Sequence, residues 1–176
     1  MFAAAIVIAI ASVVIDQLIK LYINGNIELY AERGFIPHVL SITHIRNSGA
    51  AWSIMEGKTW FLVLLPVVMI AAALWFMYRN RHGSKLALVS LGLVVGGGIG
   101  NLIDRVRLHE VIDYLKCEFI DFPIFNFADI CVVVGAVLFC VYMFFFDETD
   151  KNKKSKKTDS RDNKSEIPDD KKEPLQ

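Results

Sequence analysis

Hydrophobic positions in this chain gather into four long, nearly unbroken blocks, not into the alternating or one-sided patterns of a soluble fold. The blocks run from Phe2 to about Ile23, Trp60 to Tyr78, Leu86 to Ile103 and Phe127 to Phe146. A helix of roughly 20 residues at about 1.5 Å rise per residue crosses the hydrocarbon core of a bilayer. Each block is therefore expected to be a transmembrane helix. The first has no positive segment before it, and its Ala3-Ala4-Ala5 lies at the wrong end for a leader cleavage site. It also continues past Asp16 and Lys20 in helical register, so it is read as a retained helix. Pro66 falls inside the second block, where a kink is expected.

Between the first two blocks, residues 34–54 are rich in β-branched and aromatic side chains but alternate poorly. A small β-rich region is expected there. The fold class is thus an all-α integral membrane protein of four helices, with a small extracytoplasmic β-rich loop region and a charged tail. Residues 1–146 form the membrane domain. Residues 147–176 hold nine of the 19 basic and nine of the 19 acidic residues, lack aromatics, and read as a disordered tail.

Basic residues set the expected orientation. The short connection from Arg79 to Lys85 holds Arg79, Arg81 and Lys85, and five lysines lie between Lys151 and Lys157. By the positive-inside rule both segments are cytoplasmic, as then are both termini. The first and third connections face outside. In the third block Gly92, Gly96 and Gly100 recur every four residues, a small-residue stripe suited to close helix packing. The Gly96-Gly97-Gly98-Ile99-Gly100 run is not a phosphate loop, because no Lys-Ser/Thr follows it and no strand precedes it.

Ionisable groups inside spans are costly and mark candidate sites. Asp16 lies about 21 Å along the first helix and Asn101 about 22 Å along the third, counted from the inner face. Asp129 begins the fourth helix from the outer face. All three reach the outer third of the bilayer. Asp104 and Arg105 follow Asn101 by three and four positions, and Asn126 precedes Asp129 by three. Asp113 in Val111-Ile112-Asp113-Tyr114 and Asn47 in the first outer connection join the candidate set. Simpler roles exist for several of these. Asp16 can pair with Lys20 one turn on, Asp104 with Arg105, and Asn126 can cap the fourth helix. Asp121, before Phe122-Pro123, reads as a turn residue.

Three chemistries can be weighed. No histidine lies in a serine-nucleophile motif. No HExxH or Cys/His spacing suggests a metal, and Cys117, Cys131 and Cys140 show no paired spacing. Carboxylates remain, and Asp113 with Asp129 can share a proton, one activating water and the other protonating a leaving amine. A proton-coupled transporter stays open as a rival, although the inner halves of the first and third helices are apolar and the second block has no charge. A purely structural assembly protein is a third option.

Five ordered segments carry a resemblance to a known family. They are Asp16-Gln17-Leu18-Ile19-Lys20, Arg46-Asn47-Ser48-Gly49-Ala50-Ala51-Trp52, Gly97-Gly98-Ile99-Gly100-Asn101-Leu102-Ile103-Asp104-Arg105, Val111-Ile112-Asp113-Tyr114 and Phe122-Pro123-Ile124-Phe125-Asn126-Phe127-Ala128-Asp129. Over roughly residues 10–146 the chain resembles bacterial lipoprotein signal peptidase, the type II signal peptidase. The resemblance implies an aspartic endopeptidase of the bacterial cytoplasmic membrane, active as a monomer without cofactor, metal or nucleic acid. Its partners would be membrane lipids and diacylglyceryl-modified prolipoproteins, cut just before the lipidated lipobox cysteine at the extracytoplasmic face. Asp113 and Asp129 would be the catalytic pair. Asn47, Gly49, Asn101, Asp104, Arg105 and Asn126 would line or order the site, with Asp16 in support. Tyr114 and Trp52 stand where the family usually has Phe, and His109-Glu110 replaces a more usual Gly-containing turn.

Overall fold

The computed structural model describes residues 1–49 and 59–146. Its helices are α1 (Phe2–Asn26), α2 (Thr59–Arg79), α3 (Lys85–Leu108) and α4 (Phe127–Phe145), and its strands β1 (Glu32–Ile36), β2 (Leu40–Asn47) and β3 (Val111–Cys117). All four helices are long and apolar enough to cross a membrane. The chain falls into two units, Met1–Cys140 and Val141–Gln176. The first contains the sheet and every candidate site residue. The expected tail, the lysines after the fourth block and the Ala50-Ala51-Trp52 segment lie outside the described residues.

Two boundaries differ from those read in the hydrophobic pattern. α1 runs to Asn26, and α3 continues five residues past Ile103 to Leu108. Asp104 and Arg105 therefore sit inside the last turns of a helix. α2 runs unbroken through Pro66. Apolar blocks under-report helix ends wherever a spanning helix emerges into polar surroundings and keeps its backbone bonds.

Helix α3 is the centre of the bundle: half of its most apolar stretch is buried, against 22% in each of the other three spans. Lipid is as apolar as leucine, so helices associate in a membrane through close packing of small residues. The glycine stripe supplies this toward α1. A Cβ added at Gly92 would lie 2.7 Å from the Ala5 carbonyl oxygen, one at Gly96 2.7 Å from that of Ala9, and one at Gly100 2.7 Å from an Asp16 carboxylate oxygen. Toward α4, Gly97 backs onto the Ala128 carbonyl, and a Cβ on Gly135 would stand 2.6 Å from the Ser90 carbonyl. Ala5, Ala9, Ile70, Ala73, Met77, Leu88, Leu91 and Val95 form the buried apolar cluster between α1, α2 and α3. Large side chains such as Val7, Ile10 and Leu18 on α1 and Val68 and Met69 on α2 point outward, as lipid-facing residues do. Gly96→Ala should lower thermal stability in detergent by about 1–3 kcal/mol, the usual cost of forcing a methyl into a filled core. Its contacts are backbone and a buried serine, which cannot swing aside. An unchanged melting temperature would show that α1 and α3 are less closely apposed.

The strands form one antiparallel sheet in the order β1-β2-β3. β1 and β2 are the expected β-rich region of the connection between α1 and α2. β3 is an element that the hydrophobic pattern does not predict, and Asp113 lies in the middle of it. Val111–Tyr114 are all buried. A strand covered on both faces shows no alternation, so its sequence signature is lost. Ile112 and Tyr114 pack with Ile23 and Ile27 and seat the sheet on the end of α1.

Candidate active site

Backbone register brings the polar residues together. Asn47 pairs with Val111, and Ile45 with Asp113, so Asn47 and Asp113 are diagonal neighbours on one face of the β2–β3 ladder. The Asn47 Nδ2 group donates to Asp113 Oδ2 at 2.8 Å. Beyond β3 the chain doubles back, and Phe125 exchanges backbone hydrogen bonds with Leu115, N to O at 3.0 Å and 2.8 Å. That clasp places the next residue, Asn126, against Asp113.

Asn126 has two jobs, one for each half of its amide. Its Oδ1 accepts the Asp129 backbone N–H at 3.0 Å, while Asp129 Oδ2 accepts the Asn126 backbone N–H at 3.0 Å. This is a reciprocal capping box, with Asp in place of the commoner Glu, and it starts α4. The Asn126 Nδ2 group then donates to Asp113 Oδ1 at 2.7 Å. The capping role considered for Asn126 is realised, and the same side chain also reaches Asp113. Asp129, which had no simple structural role from its sequence context, is itself half of that cap. Tyr114 Oη accepts the next free N–H of the helix, that of Phe127, at 3.1 Å. Here the hydroxyl that distinguishes Tyr from Phe has a defined partner.

A layer deeper, Asn101 donates to Asp129 Oδ1 at 2.7 Å. Lys20 donates to Asn101 Oδ1 at 2.8 Å and pairs with Asp16 and Asp104, both at 2.9 Å. Gln17 donates to Asp104 Oδ1 at 3.0 Å and to the Gly100 carbonyl at 3.2 Å. Asp16 Oδ1 accepts the Ala128 N–H at 3.1 Å, tying α1 to α4, and Asp104 Oδ2 accepts that of Ile112 at 3.3 Å, tying α3 to β3. Asp104 therefore pairs with Lys20, not with its neighbour Arg105. Arg105 instead donates to the Gly49 carbonyl at 3.2 Å, and the Gly49 N–H donates to Asn47 Oδ1 at 2.9 Å. All nine candidate residues thus belong to one connected array. Lys20 and Gln17 were not among them. The spacing of Lys20 four residues after Asp16 was visible, but it read as an ordinary ion pair.

Asn47, Asn101, Arg105, Asp113 and Asp129 line the polar side of a cavity of about 410 Å³, and Phe122, Ile124, Ile130 and Val133 line its apolar side. Burial pushes the Asp113 carboxyl up to about 7. The Asn47 hydrogen bond opposes this, the negative charge of Asp129 adds to it, and the Asn126 hydrogen bond opposes it again. A carboxyl that exchanges its proton near neutral pH, beside a second carboxylate, suits proton transfer both to and from a substrate. Among the cysteines, Cys131 is buried and Cys140 is exposed on α4.

The turn into β3 bears on the family departure noted above. His109 ends α3 in the left-handed region, at φ 62° and ψ 5°, with its N–H on the Arg105 carbonyl. Glycine is favoured at that position because it has no Cβ to clash. We expect His109→Gly to raise stability by up to about 1 kcal/mol without loss of turnover. A lower melting temperature would point to a stabilising contact of the imidazole.

Four helices long and apolar enough to cross a membrane thus bring two aspartates to the polar wall of a partly apolar cavity. Residues 8–145 match the family model for signal peptidase (SPase) II. A lipoprotein signal peptidase of Lactococcus lactis subsp. lactis is 40% identical over 145 residues, covering 82% of this chain and 96% of the relative. One from Lactiplantibacillus plantarum is 40% identical over 146 residues, covering 83% and 97%. A solved bacterial membrane enzyme superposes with a TM-score of 0.76 at 32% identity, covering 85% of this chain and 91% of that one. The chain belongs to the signal peptidase II family, and it is a multi-pass bacterial membrane protease.

Proposed function

We propose that this protease removes the signal peptide from diacylglyceryl-modified prolipoproteins by cleaving before the lipidated cysteine, with Asp113 and Asp129 as its catalytic pair. One observation carries the assignment: the two carboxylates share Asn126 and line the same cavity. The ionised partner takes a proton from water as the oxygen attacks the scissile carbonyl. The protonated partner gives its proton to the nitrogen that becomes the free amine of the cysteine. The products are the signal peptide with a new carboxylate and the lipidated protein with a new amino terminus. Asn101 and Asn126 fix the aim of the aspartates, and Arg105 presents positive charge to the carbonyl side of the cavity. The apolar wall suits a signal peptide and acyl chains. Both termini are cytoplasmic and the site faces the extracytoplasmic leaflet, where the lipid anchor of the substrate lies. The enzyme acts as a monomer.

Purified protein in detergent, incubated with a diacylated lipobox peptide, should yield a fragment cut at the bond before the cysteine, read by mass. An uncut peptide, or cleavage elsewhere, would refute the assignment. The rate should pass through a maximum with pH and be unaffected by chelators. Its alkaline side should fall near pH 7, because above that value the pair loses the proton destined for the leaving nitrogen. The same raised value means the fold holds this proton more tightly than the unfolded chain does. Its contribution to stability is therefore full at acid pH and is lost as pH rises through about 7.

A further inference from the structure

Lys20 has no step in the reaction above, yet it is the one lysine or arginine that is buried among the described residues, at 1% exposure. Its ammonium group has three acceptors, Asp16, Asp104 and Asn101 Oδ1. Neutralising two carboxylates accounts for the first two. The third has a different consequence.

A side-chain amide has nearly the same shape either way round, so its partners alone decide where its oxygen and its NH2 group point. An ammonium group only donates. The Asn101 atom 2.8 Å from Lys20 Nζ must therefore be the oxygen. Asn126 gives the same answer independently. Its own oxygen is taken by the Asp129 N–H, so its NH2 group faces outward and donates to Asn101 Oδ1 at 3.0 Å. With its oxygen held by two donors, Asn101 must turn its NH2 group to Asp129 Oδ1, 2.7 Å away. The opposite orientation would set a carbonyl oxygen against a carboxylate oxygen at that distance.

We propose that Lys20 is a positioning residue: by holding the Asn101 amide one way round, it obliges Asn101 to donate to Asp129 and so fixes the aim of that carboxylate. This rests on the reading of Asp113 and Asp129 as the catalytic pair. Lys20 is one helix turn from Asp16, and its hydrogen-bonded path to Asp129 runs through Asn101.

The test is a double-mutant cycle of Lys20→Met and Asn101→Leu with the diacylated peptide. It is run in an Asp16→Asn background, so that loss of the lysine leaves one buried carboxylate in place of two. Each single change should lower kcat up to about 100-fold, the scale of an ångström of misplacement, with KM within about threefold. The double variant should be no slower than the slower single. In the otherwise natural chain, Asn101→Asp keeps an acceptor for Lys20 but turns an oxygen toward Asp129, and it should lose as much. If Lys20→Met does not accumulate in the membrane, the Asn101→Asp rate decides alone. Multiplying effects in the cycle, or near-normal kcat for Lys20→Met or Asn101→Asp, would overturn the proposal. An Asp129→Asn control separates the two ideas. Normal cleavage by that control removes the catalytic pair itself, whereas an inactive control with multiplying effects removes only the role of Lys20.

Discussion

Replacing either Asp113 or Asp129 by Asn should lower turnover by several orders of magnitude, and replacing both should cost little more. The substitution keeps size and most hydrogen bonds but ends proton exchange. Residues that act as a unit are strongly non-additive, because after the first loss the second has nothing left to assist. Each Asp113 oxygen accepts one amide donor, from Asn47 and Asn126. Asn at position 113 turns one of these contacts into donor against donor, so a moderate drop in stability is expected alongside the loss of activity. Asp121→Asn is the comparison. Asp121 is exposed in the segment between β3 and α4 and should cleave at close to the normal rate. Steady-state rates on the lipobox peptide, with thermal unfolding to confirm folding, would decide the matter. Substantial turnover by a folded single variant would end the two-carboxylate mechanism.

The second large effect should come at Asn126, where stability and activity can be pulled apart. Asn126→Ala removes the cap of α4 and leaves Asp113 short of a buried donor. It should cost about 1 kcal/mol for the cap and a further 1–3 kcal/mol, roughly, for the unmet carboxylate. Asn126→Ser keeps an oxygen that can accept the Asp129 N–H but has no amide group for Asp113. Its stability should lie well above that of the alanine variant, while its kcat falls on the order of 100-fold. Equal rates for Asn126→Ser and the parent would mean that the contact to Asp113 is dispensable.

Membrane energetics made much of this site readable in the sequence. A buried Asp, Asn or Arg is expensive in a span, so Asp16, Asn101 and Asp129 stood out against their apolar blocks, and counting helical rise placed them at one depth. What stayed hidden is what depends on three-dimensional pairing. β3 is covered on both faces and so carried no alternation, which concealed that Asp113 sits on a sheet. Lys20 looked like the partner of Asp16 alone, because nothing local reveals Asp104 and Asn101 at the same nitrogen. The Asn126-to-Asp129 spacing did hold the capping signal. Only the structure adds that the other half of the same amide reaches a carboxylate 13 positions earlier in the chain.

The clasp between Phe125 and Leu115 closes a short stretch of chain on itself through backbone hydrogen bonds. Everything from Glu118 to Phe122 is an exposed excursion whose two ends are already joined by backbone bonds. Lineages can therefore lengthen, shorten or rewrite that excursion, and with it one rim of the cavity, without changing the distance between the strand that carries Asp113 and the helix that carries Asp129. The shape of that rim and the spacing of the two aspartates can thus vary independently within a stretch of chain fewer than twenty residues long.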